Sequence, residues 1–288
     1  MNIERALNIA NDILKNNFSN SYQLDSELLM SKIFEKDRKF IILNSNKKLS
    51  EEKYEKFNYL VKKRSKGEPI AYLLNKKDFW KYEFYVDKGI LIPRPDSELI
   101  VEQILGLTKH KKNLRILDIG VGSGCLLLSV IKERKNFHGV GIDISKKCID
   151  ISNINASNLD ISKRVKFFKS DIDNFRFGKY DLIISNPPYI KNLDLKYLDK
   201  DVIKFEPKLA LDGGLDGISE IRKVIKKSSE LIKYGGKLIL EIAYNQTREV
   251  KKLLKKNGFY TNSVVKDLAR NDRCIISTKI EEWNNGNI

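Results

Sequence analysis

Residues 115–131 read RILDIGVGSGCLLLSVI. An apolar run ends at Asp118 and Ile119, gives way to a loop with glycine at every second position, and from Ser123 resumes as a dense apolar segment of helical length. Strand, tight turn and helix in that order open a βαβ unit, because parallel strands need a crossover connection and a helix usually supplies it. The alternation continues through FHGVGIDI (137–144) and a helix, VKFFKSD (165–171), YDLIIS (180–185), a helix after Asp216, GKLILEIA (236–243) and the helical QTREVKKLLKKNG (246–258). This predicts an α/β fold with right-handed crossovers and a parallel sheet. YTNSVVKDL (260–268) and RCIISTKI (273–280) are joined by a short turn at 270–272, which predicts an antiparallel hairpin at one sheet edge.

Upstream the period changes. IERALNIANDILKNN and SYQLDSELLMSKIFEK space apolar residues three and four apart, and LSEEKYEKFNYLVKKRSKGEPIAYLL continues from an N-cap at Ser50 until Gly67 and Pro69 interrupt it. KDFWKYEFYVDKGILIPRP then turns aromatic and alternating, with a turn read at Gly89. The expected organisation is a small helical domain over 1–75, a β-hairpin linker over 76–96 and the α/β domain over 97–288.

Composition bounds the chemistry. The chain has 288 residues, 41% hydrophobic and 32% charged, enough for a packed core. No apolar run approaches the ~20 residues of a membrane span, and the first residues lack a signal peptide's pattern, so the expectation is a cytoplasmic protein with no membrane partner. Cys125, Cys148 and Cys274 lie far apart, and His110 and His138 lack ligand-spaced neighbours, so neither disulfide, metal nor histidine chemistry is expected. The formal charge of +16 suits a polyanionic partner, but the lysines are scattered along the whole chain, as a basic composition alone would leave them.

Gly120, Gly122 and Gly124 stand where backbone must approach a ligand closely, although any tight strand-to-helix turn also favours glycine. Asp143 follows Gly124 by nineteen residues and ends the next strand, where a carboxylate can accept hydrogen bonds from both ribose hydroxyls of a nucleoside. A dinucleotide fingerprint would read GxGxxG, but Cys125 stands at its third glycine. The loop GxGxG preceded by Asp118 instead resembles the S-adenosylmethionine loop of Rossmann-like methyltransferases. Asp171 and Ile172, ending the third strand, then belong near the adenine, unless they are ordinary strand-end residues.

The fourth strand ends abruptly in NPPY, Asn186 to Tyr189. In an open α/β sheet the carboxyl end of that strand faces the ligand crevice. Two prolines fix φ and remove two N–H donors, so neighbouring carbonyls can face a ligand. The Asn186 side-chain oxygen and the Pro187 carbonyl can accept the two N–H bonds of a planar NH₂ group, and Tyr189 offers a flat face. Such acceptors orient a weakly nucleophilic nitrogen and stabilise the positive charge it develops. The motif serves exocyclic amines of nucleic-acid bases and side-chain amides of glutamine alike. A non-catalytic cofactor-binding protein would have no need to retain Asn186 and both prolines.

GEPIAYLLNKKDFWKYEFYVDKGILIPRPDSELIVE (67–102), ILDIGVGSG, DLIISNPPYI, FEPKLALDGGLDGI, GGKLILEIAYNQ and KDLARNDRCII occur in the order that resembles the bacterial HemK/PrmC family, over roughly 67–276. The resemblance implies a helical N-terminal domain, a β-hairpin linker and a Rossmann-like S-adenosylmethionine-dependent domain that methylates the GGQ glutamine of class I peptide chain release factors. It implies that Gly120, Val121, Gly122, Ser123, Gly124, Asp143 and Ile172 line the cofactor. Asn186 would touch both cofactor and glutamine, Asn186, Pro187, Pro188 and Tyr189 would form the glutamine clamp, and the helical domain would dock the release factor. Val121 stands where threonine is common, and Ala243 and Arg270 replace usual glycines. The runner-up is an adenine-N6 or cytosine-N4 methyltransferase, but the residues after Tyr189 are consumed in completing the sheet and leave no base-recognition segment, so no stable nucleic-acid partner is expected.

Overall fold

The computed structural model describes residues 1–16 and 21–281. The chain divides into two compact units: Met1–Lys76 with Asp199–Phe205, and Lys77–Leu198 with the chain from Glu206 onward. No helix among the described residues is long and apolar enough to cross a membrane.

The first unit is built from α1 (Ile3–Lys15), α2 (Tyr22–Phe34), α3 (Arg38–Leu43), α4 (Glu51–Ser65) and α5 (Ile70–Leu74). Ile3, Ala6, Ala10 and Leu14 form the buried stripe of α1 and meet Leu29 and Met30 of α2, Ile41, and Phe57 and Val61 of α4. The side chains of Asn2, Asp37 and Ser50 accept the backbone N–H of Arg5, Phe40 and Lys53, capping α1, α3 and α4. Inside this core Arg64 Nε donates to Asp25 Oδ2 at 2.7 Å, with both side chains almost wholly buried.

In the second unit β1 (Lys76–Phe79) and β2 (Tyr82–Tyr85) form a two-stranded sheet of their own. Its turn is at Trp80 and Lys81, and the turn read at Gly89, with φ of 85°, follows the hairpin as a separate one. Trp80 takes a left-handed φ of 58°, held by its N–H on Glu98 Oε1 and its indole N–H on Glu133 Oε1. The hairpin groups with this unit and Asp199–Phe205 with the first, whereas the sequence placed the hairpin as a separate linker and the later segment in the α/β domain.

The main sheet has seven strands: β3 (Arg115–Ile119), β4 (His138–Asp143), β5 (Val165–Lys169), β6 (Tyr180–Ser185), β7 (Ile232–Glu241), β8 (Phe259–Lys266) and β9 (Asp272–Lys279), in the order β5-β4-β3-β6-β7-β9-β8. The first five are parallel, and β9 lies antiparallel between β7 and the edge strand β8. The helices are α6 (Glu98–Leu107), α7 (Cys125–Glu133), α8 (Lys146–Asn158), α9 (Lys200–Phe205, in the first unit), α10 (Ser219–Leu231) and α11 (Thr247–Lys256).

Both sheet faces are covered, which is why the strands read as unbroken apolar runs. Ile116, Leu182, Ile184, Ile239 and Ile276 point into a core with α6, α7 and the hairpin's Phe79 and Phe84. Their neighbours Leu117, Ile183, Leu238, Leu240 and Ile275 point into a second core with α10 and α11. Alternate residues of one strand thus feed two cores.

Candidate active site

Strand order reverses at β3: the chain runs outward through β4 and β5, then returns to pair β6 on the other side of β3. Loops leaving the carboxyl ends of β3 and β6 therefore diverge and leave a crevice between them, the switch point where open α/β sheets bind ligands. The glycine loop follows β3 and the Asn-Pro-Pro-Tyr segment follows β6, and both border a cleft of about 460 Å³.

Gly120 has φ of 77° and no atom within 4 Å of where a Cβ would stand, so its backbone faces open space. Gly124 also has a left-handed φ, but a Cβ there would meet Leu128 Cδ1 at 2.8 Å. Gly124 is absent from the cleft wall and instead lets α7 begin against its own first turn. Asn155 of α8 ties the loop to the hairpin, accepting from Tyr85 N at 2.7 Å and donating to Ser123 O at 2.8 Å.

Asp143 lines the cleft and braces it. One carboxylate oxygen accepts from Gly122 N at 3.0 Å and the other from Ser145 N at 2.9 Å. Burial raises its pKa, and these backbone donors oppose the rise. Beneath the loop, Asp118 is buried with neither carboxylate oxygen hydrogen-bonded. Burial, reinforced by the charge of Asp143, pushes its pKa up to about 8.

Val121, Ser123 and Ile172 join Gly120, Gly122 and Asp143 in the wall, as do Asn186, Pro187, Pro188 and Asp171. Tyr189 does not. Its hydroxyl donates to Glu241 Oε1 at 3.2 Å, and its half-buried ring packs on the core beside α10 and α11. Gln246 pins this segment by donating to Tyr189 O at 3.0 Å and Gly217 O at 2.9 Å, while Ile190 N donates to Leu211 O and Gly213 N donates to Ile190 O. Cys125 and Cys148 line the cleft as well, and burial pushes both thiols up to about 12.

Four further polar residues shape the site; each lies in a segment that carries the resemblance, but none was given a role there. Ser97 receives Asn186 Nδ2 at 3.1 Å and donates to Glu241 Oε2 at 2.6 Å. Glu206, with its side chain buried, pairs with Arg94 at 2.5 Å and accepts from Ile92 N at 3.2 Å, fixing the PRP segment at the cleft. Gln246 is the fourth. The signals that could have found them are an acid at the end of a core strand in LILE and the hydroxyl in PRPDSE.

Residues 5–74 match the PrmC N-terminal domain family, and residues 110–285 match a family described as Methyltransferase domain. The chain is 38% identical over 283 residues to the release factor glutamine methyltransferase of Buchnera aphidicola subsp. Acyrthosiphon pisum, covering 98% of this chain and 100% of that one. It is 35% identical over 282 residues to the release factor glutamine methyltransferase of Clostridium acetobutylicum, covering 97% and 99%. The solved tRNA m1G37 methyltransferase of M. jannaschii superposes with a TM-score of 0.51 at 16% identity, over 72% of this chain and 57% of that one, a likeness of fold alone.

Proposed function

The chain belongs to the release factor glutamine methyltransferase family, and on that premise we propose that it methylates the side-chain amide nitrogen, N5, of the GGQ glutamine of class I peptide chain release factors, using S-adenosylmethionine. The observation that carries this reading is the meeting of the glycine loop, Asp143 and Asn186–Pro188 at one cleft.

The residues suit the cofactor. Gly120 and Gly122 leave open space where a Cβ would stand, Asp143 presents carboxylate oxygens with lone pairs to spare, and Leu126, Ile144 and Ile172 supply apolar wall. When bound, the cofactor supplies a methyl group on a sulfonium centre. Asn186 Oδ1 and the Pro187 carbonyl hold the two N–H bonds of the glutamine amide, orient its nitrogen, and stabilise the positive charge that grows on it as its lone pair leaves conjugation. No base is needed before transfer, because both acceptors act on the neutral amide.

One glutamine offers too little surface to select its protein, so the helical unit docks the release factor. A hollow of about 360 Å³ there is lined by Phe34, Phe40, Lys36, Lys47, Lys48 and Lys53, a cationic surface suited to an acidic face of the partner. The reaction is placed in the cytoplasm with its substrate, without a stable nucleic-acid partner. Mass spectrometry after incubation with methyl-labelled S-adenosylmethionine is the test. One added methyl on the GGQ glutamine is expected. Label on adenine or cytosine amines of oligonucleotides, with none on the release factor, would overturn the reading.

A further inference from the structure

Asn186 can receive an NH₂ group only if its own carbonyl oxygen faces the cleft. An asparagine amide has two ends of nearly equal size, one accepting and one donating, so its shape alone does not choose between them. The neighbours choose. Asn186 Nδ2 donates to Ser97 Oγ, Ser97 Oγ donates to Glu241 Oε2, and Tyr189 donates to the other Glu241 oxygen. An ionised carboxylate only accepts, so it takes the Ser97 proton. The Ser97 oxygen then presents lone pairs alone to Asn186 and binds its NH₂ end. Ser97 and Glu241 are both buried, so water does not compete for these bonds.

We propose that Ser97 and Glu241 are positioning residues that set which end of the Asn186 amide faces the substrate nitrogen, an inference resting on the reading of Asn186 as the amide clamp. A proton on Glu241 reverses the chain. The neutral acid donates to Ser97, the Ser97 hydroxyl turns to Asn186 Oδ1, and the Asn186 NH₂ is left facing the cleft, where it repels the group to be methylated. The groups around Glu241 are Asp96 beside Ser97, Tyr189 after β6, Arg273 and Cys274 on β9, and Cys125 on α7. Burial raises the Glu241 pKa and Asp96 adds to the rise, while Ser97, Arg273 and Tyr189 oppose it. Acidification therefore protonates Glu241 at a higher pH than an ordinary glutamate and cuts the rate.

The test uses the full chain and a GGQ peptide in single-turnover kinetics, with the Asn186 side-chain amide followed by ¹⁵N NMR. The wild-type rate should fall on acidification. Ser97→Ala should lower it about 10- to 100-fold at neutral pH and abolish the acid limb, with unchanged affinity for S-adenosylhomocysteine. Ser97→Thr, which keeps the hydroxyl, should restore the rate to within about threefold, and the limb with it. The Asn186 amide resonances should move with the Glu241 titration in the wild type and cease to do so in Ser97→Ala. A Ser97→Ala enzyme at wild-type rate, or Asn186 resonances indifferent to pH or unchanged by the substitution, would overturn the proposal. If the resonances behave as expected while the wild type leaves the peptide unmethylated, the positioning device stands and the glutamine reading falls.

Discussion

Asn186 and Asp143 border the same cleft but should fail differently. On the proposed reading Asn186 faces charge that develops only during transfer, so Asn186→Ala should cost ~10²–10³ in rate, with the fold and most of the cofactor affinity retained. A single-turnover change under about threefold would remove Asn186 from the chemistry. A ribose contact at Asp143 would be made equally before and during transfer, so its loss should appear as weaker cofactor binding with little change in kcat. The structure adds a complication: Asp143 also holds the N–H groups of Gly122 and Ser145. Asp143→Asn keeps one carbonyl acceptor and is gentler on the loop than Asp143→Ala. Calorimetry with S-adenosylhomocysteine should show weaker binding for both, the alanine variant more so. Unchanged affinity in both would leave Asp143 as a loop brace only.

At the scale of one strand and its turn, the two outer glycines of the loop separate binding from stability. Gly120→Ala places a methyl in open cleft and should reduce cofactor affinity while costing about 1–2 kcal/mol in left-handed backbone strain, whereas Gly124→Ala adds to the same strain a clash with Leu128 and should lower stability by roughly 3 kcal/mol. Thermal melts should show the larger loss for Gly124→Ala, and calorimetry the larger loss of cofactor affinity for Gly120→Ala. Asp118, two residues before that loop, adds a pH dependence. Its folded value of about 8 lies above the model-peptide value of 3.8, so between the two the folded state keeps a proton that the unfolded state has lost. Stability from this group therefore falls as pH rises through that window. Asp118→Asn should gain on the wild type in thermal melts progressively from about pH 4 to 8. A constant difference would mean an ionised carboxylate on both sides of the window. What the sequence made legible at this scale was contiguous: the glycine loop and Asn-Pro-Pro-Tyr each pack their requirements into a few adjacent residues. Ser97 and Glu241 stand in segments that carry the resemblance, but their roles were illegible because their bond joins residues 144 apart. The partner of Tyr189 was illegible for the same reason, since its hydroxyl bonds Glu241, a strand away.

At the scale of the whole molecule, the +16 charge gains a location to test. In the helical unit Lys53 Nζ lies 4.3 Å from the ring centre of Phe34, and Lys47 Nζ lies 5.2 Å from that of Phe40. Ammonium groups held over aromatic faces are steered without being neutralised, because a ring quadrupole carries no net charge. Lys36, Lys47, Lys48 and Lys53 line the hollow, while Glu35 and Asp37 flank it in sequence with Asp37 committed to capping α3. Such a surface should attract an acidic partner over about a Debye length, roughly 8–10 Å at physiological salt, and so act mainly on association. Lys47→Glu with Lys53→Glu should lower kcat/KM for an intact release factor about tenfold or more, and the deficit should shrink as salt rises. Methylation of a short GGQ peptide should not change, since the peptide has no body to dock. Equal losses on peptide and intact protein would move the effect from docking to folding, and no loss on either would leave the lysines as ordinary solvated surface.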